Sequence, residues 1–162
     1  MNYNPKLTPL TITVGPAASY HEPIQWDPDP WDPDLEVGNS RDLRIKMVKD
    51  IKNQASKILP RVLRALEIVP KHKFMDLDKT PGSSHSEKIK MIYTSYNYHH
   101  GVGNTTVEPT KKIGLKLSML KIDVGMDVLI HGGNGYNESL VSQLVGPQGK
   151  VTVVDDSKPL TY

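Results

Sequence analysis

Cysteine is absent from the 162 residues, which excludes disulfides, thiolate metal ligands and a cysteine nucleophile. A chain without thiols fits an intracellular, reducing compartment. Phenylalanine occurs once and tryptophan twice, against seven tyrosines. No apolar run approaches the roughly 18 residues that a membrane span requires. The first 30 residues lack a basic start followed by an apolar core, the pattern of a secretory signal. His72, His85, His99, His100 and His131 have no carboxylate at ligand spacing and no His-x-x-x-His pair, so no metal site is expected. No Ser-His-Asp arrangement stands out, and no alternation of arginine with aromatics marks a nucleic-acid motif.

What is present begins with proline and charge. Pro5, Pro9, Pro16, Pro23, Pro28, Pro30 and Pro33 rule out a continuous helix over residues 1–40 and favour extended backbone. This tail carries one basic residue, Lys6, and six carboxylates, for a net −5. The remainder carries 19 basic and 12 acidic residues, for a net +7. An acidic tail on a basic body implies a solvated leader, or a tail that lies on its own body or on a basic partner. The near-duplicated Trp26-Asp27-Pro28-Asp29 and Trp31-Asp32-Pro33-Asp34 would place two aromatic anchors against a partner groove or the chain itself. The tail, residues 1–40, is therefore expected to be extended, with neither helix nor strand of its own.

From Arg41 onward the pattern is that of one globular domain, 41–162. Leu43, Met47, Ile51, Ile58, Val62, Ala65 and Leu66 recur at helical spacing, predicting helices near 40–57 and 60–68, with Pro60 in the first turn of the second. Residues 76–90 are polar and read as a loop around Pro81-Gly82-Ser83-Ser84. A helix near 109–120 presents Ile113, Leu117, Met119 and Leu120. Val128-Leu129-Ile130-His131 reads as a strand and Gly132-Gly133-Asn134-Gly135 as a glycine turn. Asn137 would cap a helix carrying Leu140, Val141, Leu144 and Val145. Lys150 to Val154 forms a second strand ending at Asp155. Two apolar strands joined by a helix define a βαβ unit of a parallel sheet, an α/β fold.

In that unit the chemistry belongs to the turn. Glycines let backbone approach a ligand without a Cβ in the way. The following helix offers unsatisfied amides, and an acid at the tip of the next strand, here Asp155, can accept hydrogen bonds from ribose hydroxyls. A tight turn with no ligand would need the same glycines.

Several stretches resemble the protein-L-isoaspartate O-methyltransferase family. Arg61 to Phe74 is similar to its "VLxAMxxVPRHxF" segment, and Gly101 to Pro109 has the spacing of "GxGQTISxP". Gly125 to Tyr136 resembles "GxxVLEIGTGSGY", and Leu144 to Asp155 resembles "LVGxxGxVxxxE". Order and spacing agree over residues 44–156. The resemblance implies an incomplete Rossmann-like, S-adenosylmethionine-dependent methyltransferase fold with an N-terminal helical region and an extended tail. It places Gly132, Gly133, Gly135, Asp155 and Thr105 at the cofactor, should S-adenosylmethionine binding be retained.

The departures are polar losses. The family's loop serine falls on Val107, its glutamine on Asn104, the aspartate upstream of the loop near Ser95, and the acid of the first cofactor motif on Ile130. The glycine loop is one residue shorter. The family's sheet also continues beyond the equivalent of Asp156. Together these imply no catalytic residues and no bound cofactor. They point to a non-catalytic, methyltransferase-like subunit of a larger protein assembly, whose partner covers strands 128–131 and 150–154. RNA contact through the basic body stays open. The alternatives are an isoaspartyl methyltransferase completed by a partner chain, and a module that binds the cofactor without catalysis.

Overall fold

The computed structural model describes the backbone of residues 10–12 and residues 40–94, 98–102 and 105–154. Trp26, Trp31, Ser95, Asn104 and Asp155 lie outside the described residues. The elements are β1 (Leu10–Ile12), α1 (Ser40–Gln54), α2 (Pro60–Ile68), α3 (His85–Thr94), β2 (His99–His100), β3 (Thr106–Val107), α4 (Thr110–Leu120), β4 (Asp127–His131), α5 (Tyr136–Val145) and β5 (Lys150–Val154). A 3-10 turn at Lys71–Phe74 follows α2.

The predicted βαβ unit is present. β4 and β5 pair in parallel, Val128 opposite Val151 and Ile130 opposite Val153. Parallel strands need a crossover, and α5 supplies it. Gly146 ends that helix at φ +64°, a left-handed conformation that costs glycine little, and its N–H donates to the Ser142 carbonyl. Val151 and Val153 are buried, and Val128 and Ile130 pack partly against the same core. The opposite face of β4 is open, with Leu129 69% exposed. One face of the two strands is thus buried within this chain.

The tail departs from its expected lack of strand. β1 pairs antiparallel with β5, Leu10 opposite Val153 and Ile12 opposite Val151, giving the order β1-β5-β4. The β5 edge offers unpaired amides and carbonyls, and three tail residues take them.

The helices bury one continuous core, drawn from Val48 and Ile51 of α1, Val62 and Leu66 of α2, Ile89 and Ile92 of α3, Ile113 and Leu117 of α4, and Leu140 and Leu144 of α5. Gly114 lets α4 close on α2, since a Cβ there would lie 3.3 Å from Leu66 Cδ1. Met119 and Leu120, expected on the apolar face of α4, are instead 80% and 67% exposed, because they stand at the helix end where the chain turns away through left-handed Lys121. The polar stretch 76–90 is not all loop. Its C-terminal part opens α3, where the Ser84 hydroxyl accepts from the Glu87 amide and the Glu87 carboxylate accepts from the Ser83 amide and hydroxyl. This reciprocal capping near Ser84 and Glu87 starts a helix from polar residues.

Candidate functional site

The glycine turn leaves β4 at Gly132, whose N–H donates to the Val154 carbonyl at 2.7 Å and so ties the tips of the two parallel strands together. Gly132 has φ +68°, and nothing lies within 4 Å of where its Cβ would stand, so its backbone faces open space. Gly135, at φ +78°, lies against the Phe74 ring, 2.8 Å from its absent Cβ. Asn134, not Asn137, caps α5. Its Oδ1 accepts from the amides of Tyr136 at 3.0 Å and Asn137 at 3.1 Å. Asn137 is already inside the first turn of α5, too late to reach those amides. Two of the helix-start donors are therefore committed to a side chain and are not offered to a ligand.

Beneath the turn lies a carboxylate that sequence reasoning missed. Glu138 is 5% exposed. A Cβ on Gly133 would run into its Oε1, and Val153 Cγ1 lies 3.5 Å from the same point. An acid in the first turn of a helix ordinarily signals a solvated complement to the helix dipole, which is why its burial has no sequence signature.

The second resembling loop folds as a small hairpin. His99 pairs with Val107 and His100 with Thr106. The hairpin is joined to the segment after α2 by a bridge between Met75 and Gly101. Gly101 N–H donates to the Thr105 carbonyl at 2.9 Å, and the Thr105 hydroxyl donates to the Val102 carbonyl at 3.0 Å. Thr105 thus closes its own loop. Val107 is fully buried, and its methyls take the place of the hydroxyl that the resemblance puts there. Ile130 is half-buried and packs on the core. The structure therefore brings Gly132, Gly133 and Gly135 together. Phe74 links this turn to the hairpin, touching Gly135 with its ring while its carbonyl lies 3.4 Å from the Cβ position of Gly101.

Between these two loops is a buried polar cluster. Lys71 is fully buried, and its ammonium donates to Thr110 Oγ1 at 3.1 Å and the Glu108 carbonyl at 3.5 Å. Burial pulls its pKa down to about 8. His99, 6% exposed, is pulled down to about 4 by burial first, then by the nearby Lys71 charge. His72 Nδ1 and Tyr93 Oη are 2.6 Å apart. Tyr136 is buried beside Phe74, ring centroids 5.8 Å apart, and burial raises its pKa. Lys71 and His72 fall within the segment after Val69-Pro70 that resembles the family, whereas nothing in the spacing marks His99. No group of three His, Asp or Glu able to hold a metal occurs among the described residues, and no helix among them is long and apolar enough to cross a membrane.

Parallel strands, a crossover helix and a glycine turn at the carboxyl end of the first strand define the opening unit of a Rossmann-like methyltransferase fold. The chain belongs to the protein-L-isoaspartate(D-aspartate) O-methyltransferase family, whose model matches residues 42–162. It is 33% identical over 96 residues to a protein-L-isoaspartate O-methyltransferase of Methanococcus maripaludis, covering 58% of this chain and 40% of that protein. It is 29% identical over 150 residues to one from Aeropyrum pernix, covering 92% and 50%. A solved protein-L-isoaspartate O-methyltransferase superposes with a TM-score of 0.50 at 24% identity, over 67% of this chain and 32% of that one, which supports the fold. The chain spans half or less of the length of these relatives.

Proposed function

We propose that this chain carries the cofactor-side portion of an S-adenosylmethionine-dependent methyltransferase acting on isoaspartyl carboxylates, with the rest of the cleft supplied by polypeptide outside these residues. The observation that carries the reading is the glycine turn, open to solvent at Gly132 and set between parallel strand tips. The residues present fit the group. Gly132 admits close backbone approach, and Gly133 and Gly135 keep the turn tight against Glu138 and Phe74. The cofactor would supply an electrophilic methyl on a sulfonium, which a carboxylate oxygen attacks as the thioether leaves. The chain's own part is to hold the turn and to present the hairpin of β2 and β3 beside it.

A second reading, a non-catalytic subunit docking within a larger assembly, draws on Val107 and Ile130. Neither side chain can donate or accept a hydrogen bond, and Val107 is sealed in the core. A module that binds the cofactor without catalysis needs only the turn.

Equilibrium dialysis of the purified chain against radiolabelled S-adenosylmethionine tests the reading. Saturable binding that weakens when Gly132→Val crowds the open face is expected. Absence of saturable binding to a folded chain would overturn it in favour of the docking subunit.

A further inference from the structure

We propose that Glu138 supplies to the glycine turn, from the helix side, the carboxylate that Ile130 cannot supply from the strand side. Ile130 occupies the position at which the resembling motif carries an acid. It stands opposite Val153 in the parallel register, and Val153 Cγ1 approaches the very point beside Gly133 that the Glu138 carboxylate fills. The strand position and the helix position therefore both border Val153 under the turn. Glu138 is 5% exposed, and a buried carboxylate is stable only where N–H dipoles or cations face it. The Glu138 carboxylate stands in the crook of the turn, beside Gly133.

Gly133 follows from this placement. A Cβ there would have to displace the Glu138 carboxylate. The shorter loop and the missing acid then become one rearrangement: the turn is supported by an acid carried on α5, eight positions after Ile130 in the chain. Glu138 acts as a positioning residue, fixing the turn's backbone. Only its consequence for the cofactor rests on the proposed methyltransferase reading.

The test is a swap cycle in the full chain: wild type, Glu138→Ala, Ile130→Glu, and the double variant Ile130→Glu/Glu138→Ala. Thermal melting is read for each, with dialysis against S-adenosylmethionine beside it. Glu138→Ala leaves the turn without its acid, and Ile130→Glu crowds two like charges into one volume. Each should lower the melting temperature by about 4 °C or more, the shift that roughly 1–2 kcal/mol gives in a domain of this size. The double variant should return to within about 2 °C of wild type, since such coupling marks groups that share a site. If Glu138→Ala does not fold, Glu138→Gln and its pairing with Ile130→Glu carry the same cycle. Additive losses, or a Glu138→Ala chain as stable as wild type, overturn the proposal. Coupled melting without cofactor binding in any variant would leave Glu138 as the turn's support and sink the methyltransferase reading instead.

Discussion

Two buried bases give this chain an unusual response to pH. His99 is held at about 4 when folded, against about 6.5 in an unfolded chain. Between these values the unfolded state binds the extra proton, so stability is complete above about pH 6.5 and is lost as pH falls toward 4. The loss should appear in urea melts as a fall in stability over this window, and His99→Gln should flatten it. Lys71, lowered to about 8, works the same way in a higher window. Above pH 8 the folded chain sheds a proton that the unfolded chain keeps to about 10.4. Stability should therefore rise by about 2 kcal/mol between pH 8 and 10, before deprotonation of unfolded tyrosines, Tyr136 among them, opposes it. Lys71→Met should lack this rise, because it removes a buried ammonium whose partners among the described residues are a hydroxyl and a carbonyl. An unchanged alkaline slope in that variant would show the assignment wrong.

At the scale of elements, legibility followed pattern length. The unit from β4 to β5 could be read because apolar strands, glycines and a helix stand in unbroken order. α2 could be read because Pro60 and the apolar spacing agree. α3 could not, because its first turn is polar and its cap chemistry lies in Ser83, Ser84 and Glu87, residues that also make loops. The strands β2 and β3 are two residues each, too short to show alternation. β1 is three residues among prolines, and only the exposed edge of β5 gives it a partner. In the site, the glycines were legible as backbone signals, whereas the burial of Glu138, Lys71 and His99 depends on tertiary packing that spacing does not encode. The β1 pairing makes its own prediction. Deleting residues 1–12 should leave α1 to α5 folded but speed amide exchange in β5, because the strand loses its antiparallel neighbour. Unchanged exchange across 150–154 would show that β1 contributes nothing to the sheet.

Over the whole molecule, the helices and one sheet face form a closed core, while the outer face of β4 is left to solvent. Leu129, 69% exposed, lies along it. The 162 residues by themselves should transfer no methyl group to an isoaspartyl peptide above background, even with the cofactor bound. The hairpin offers Val107 where a hydroxyl would stand, and no described residue walls the far side of the turn. Radiolabelled transfer by the chain alone would contradict this. Val107→Ser should not rescue transfer by itself, and burying its hydroxyl without a partner should cost about 1–3 kcal/mol of stability.

The three residues of β1 have a consequence for how this molecule can be counted in an assembly. A sheet with two long open edges is divalent: copies can add at both ends without limit, which is the geometry of fibres. Here one side of β5 is spent on a strand too short to template another, so only the β4 edge, among the described residues, can accept a full-length neighbour. A strand of another polypeptide or of a second copy would therefore be expected beside β4, while the three residues of β1 keep the other side of the sheet from templating one.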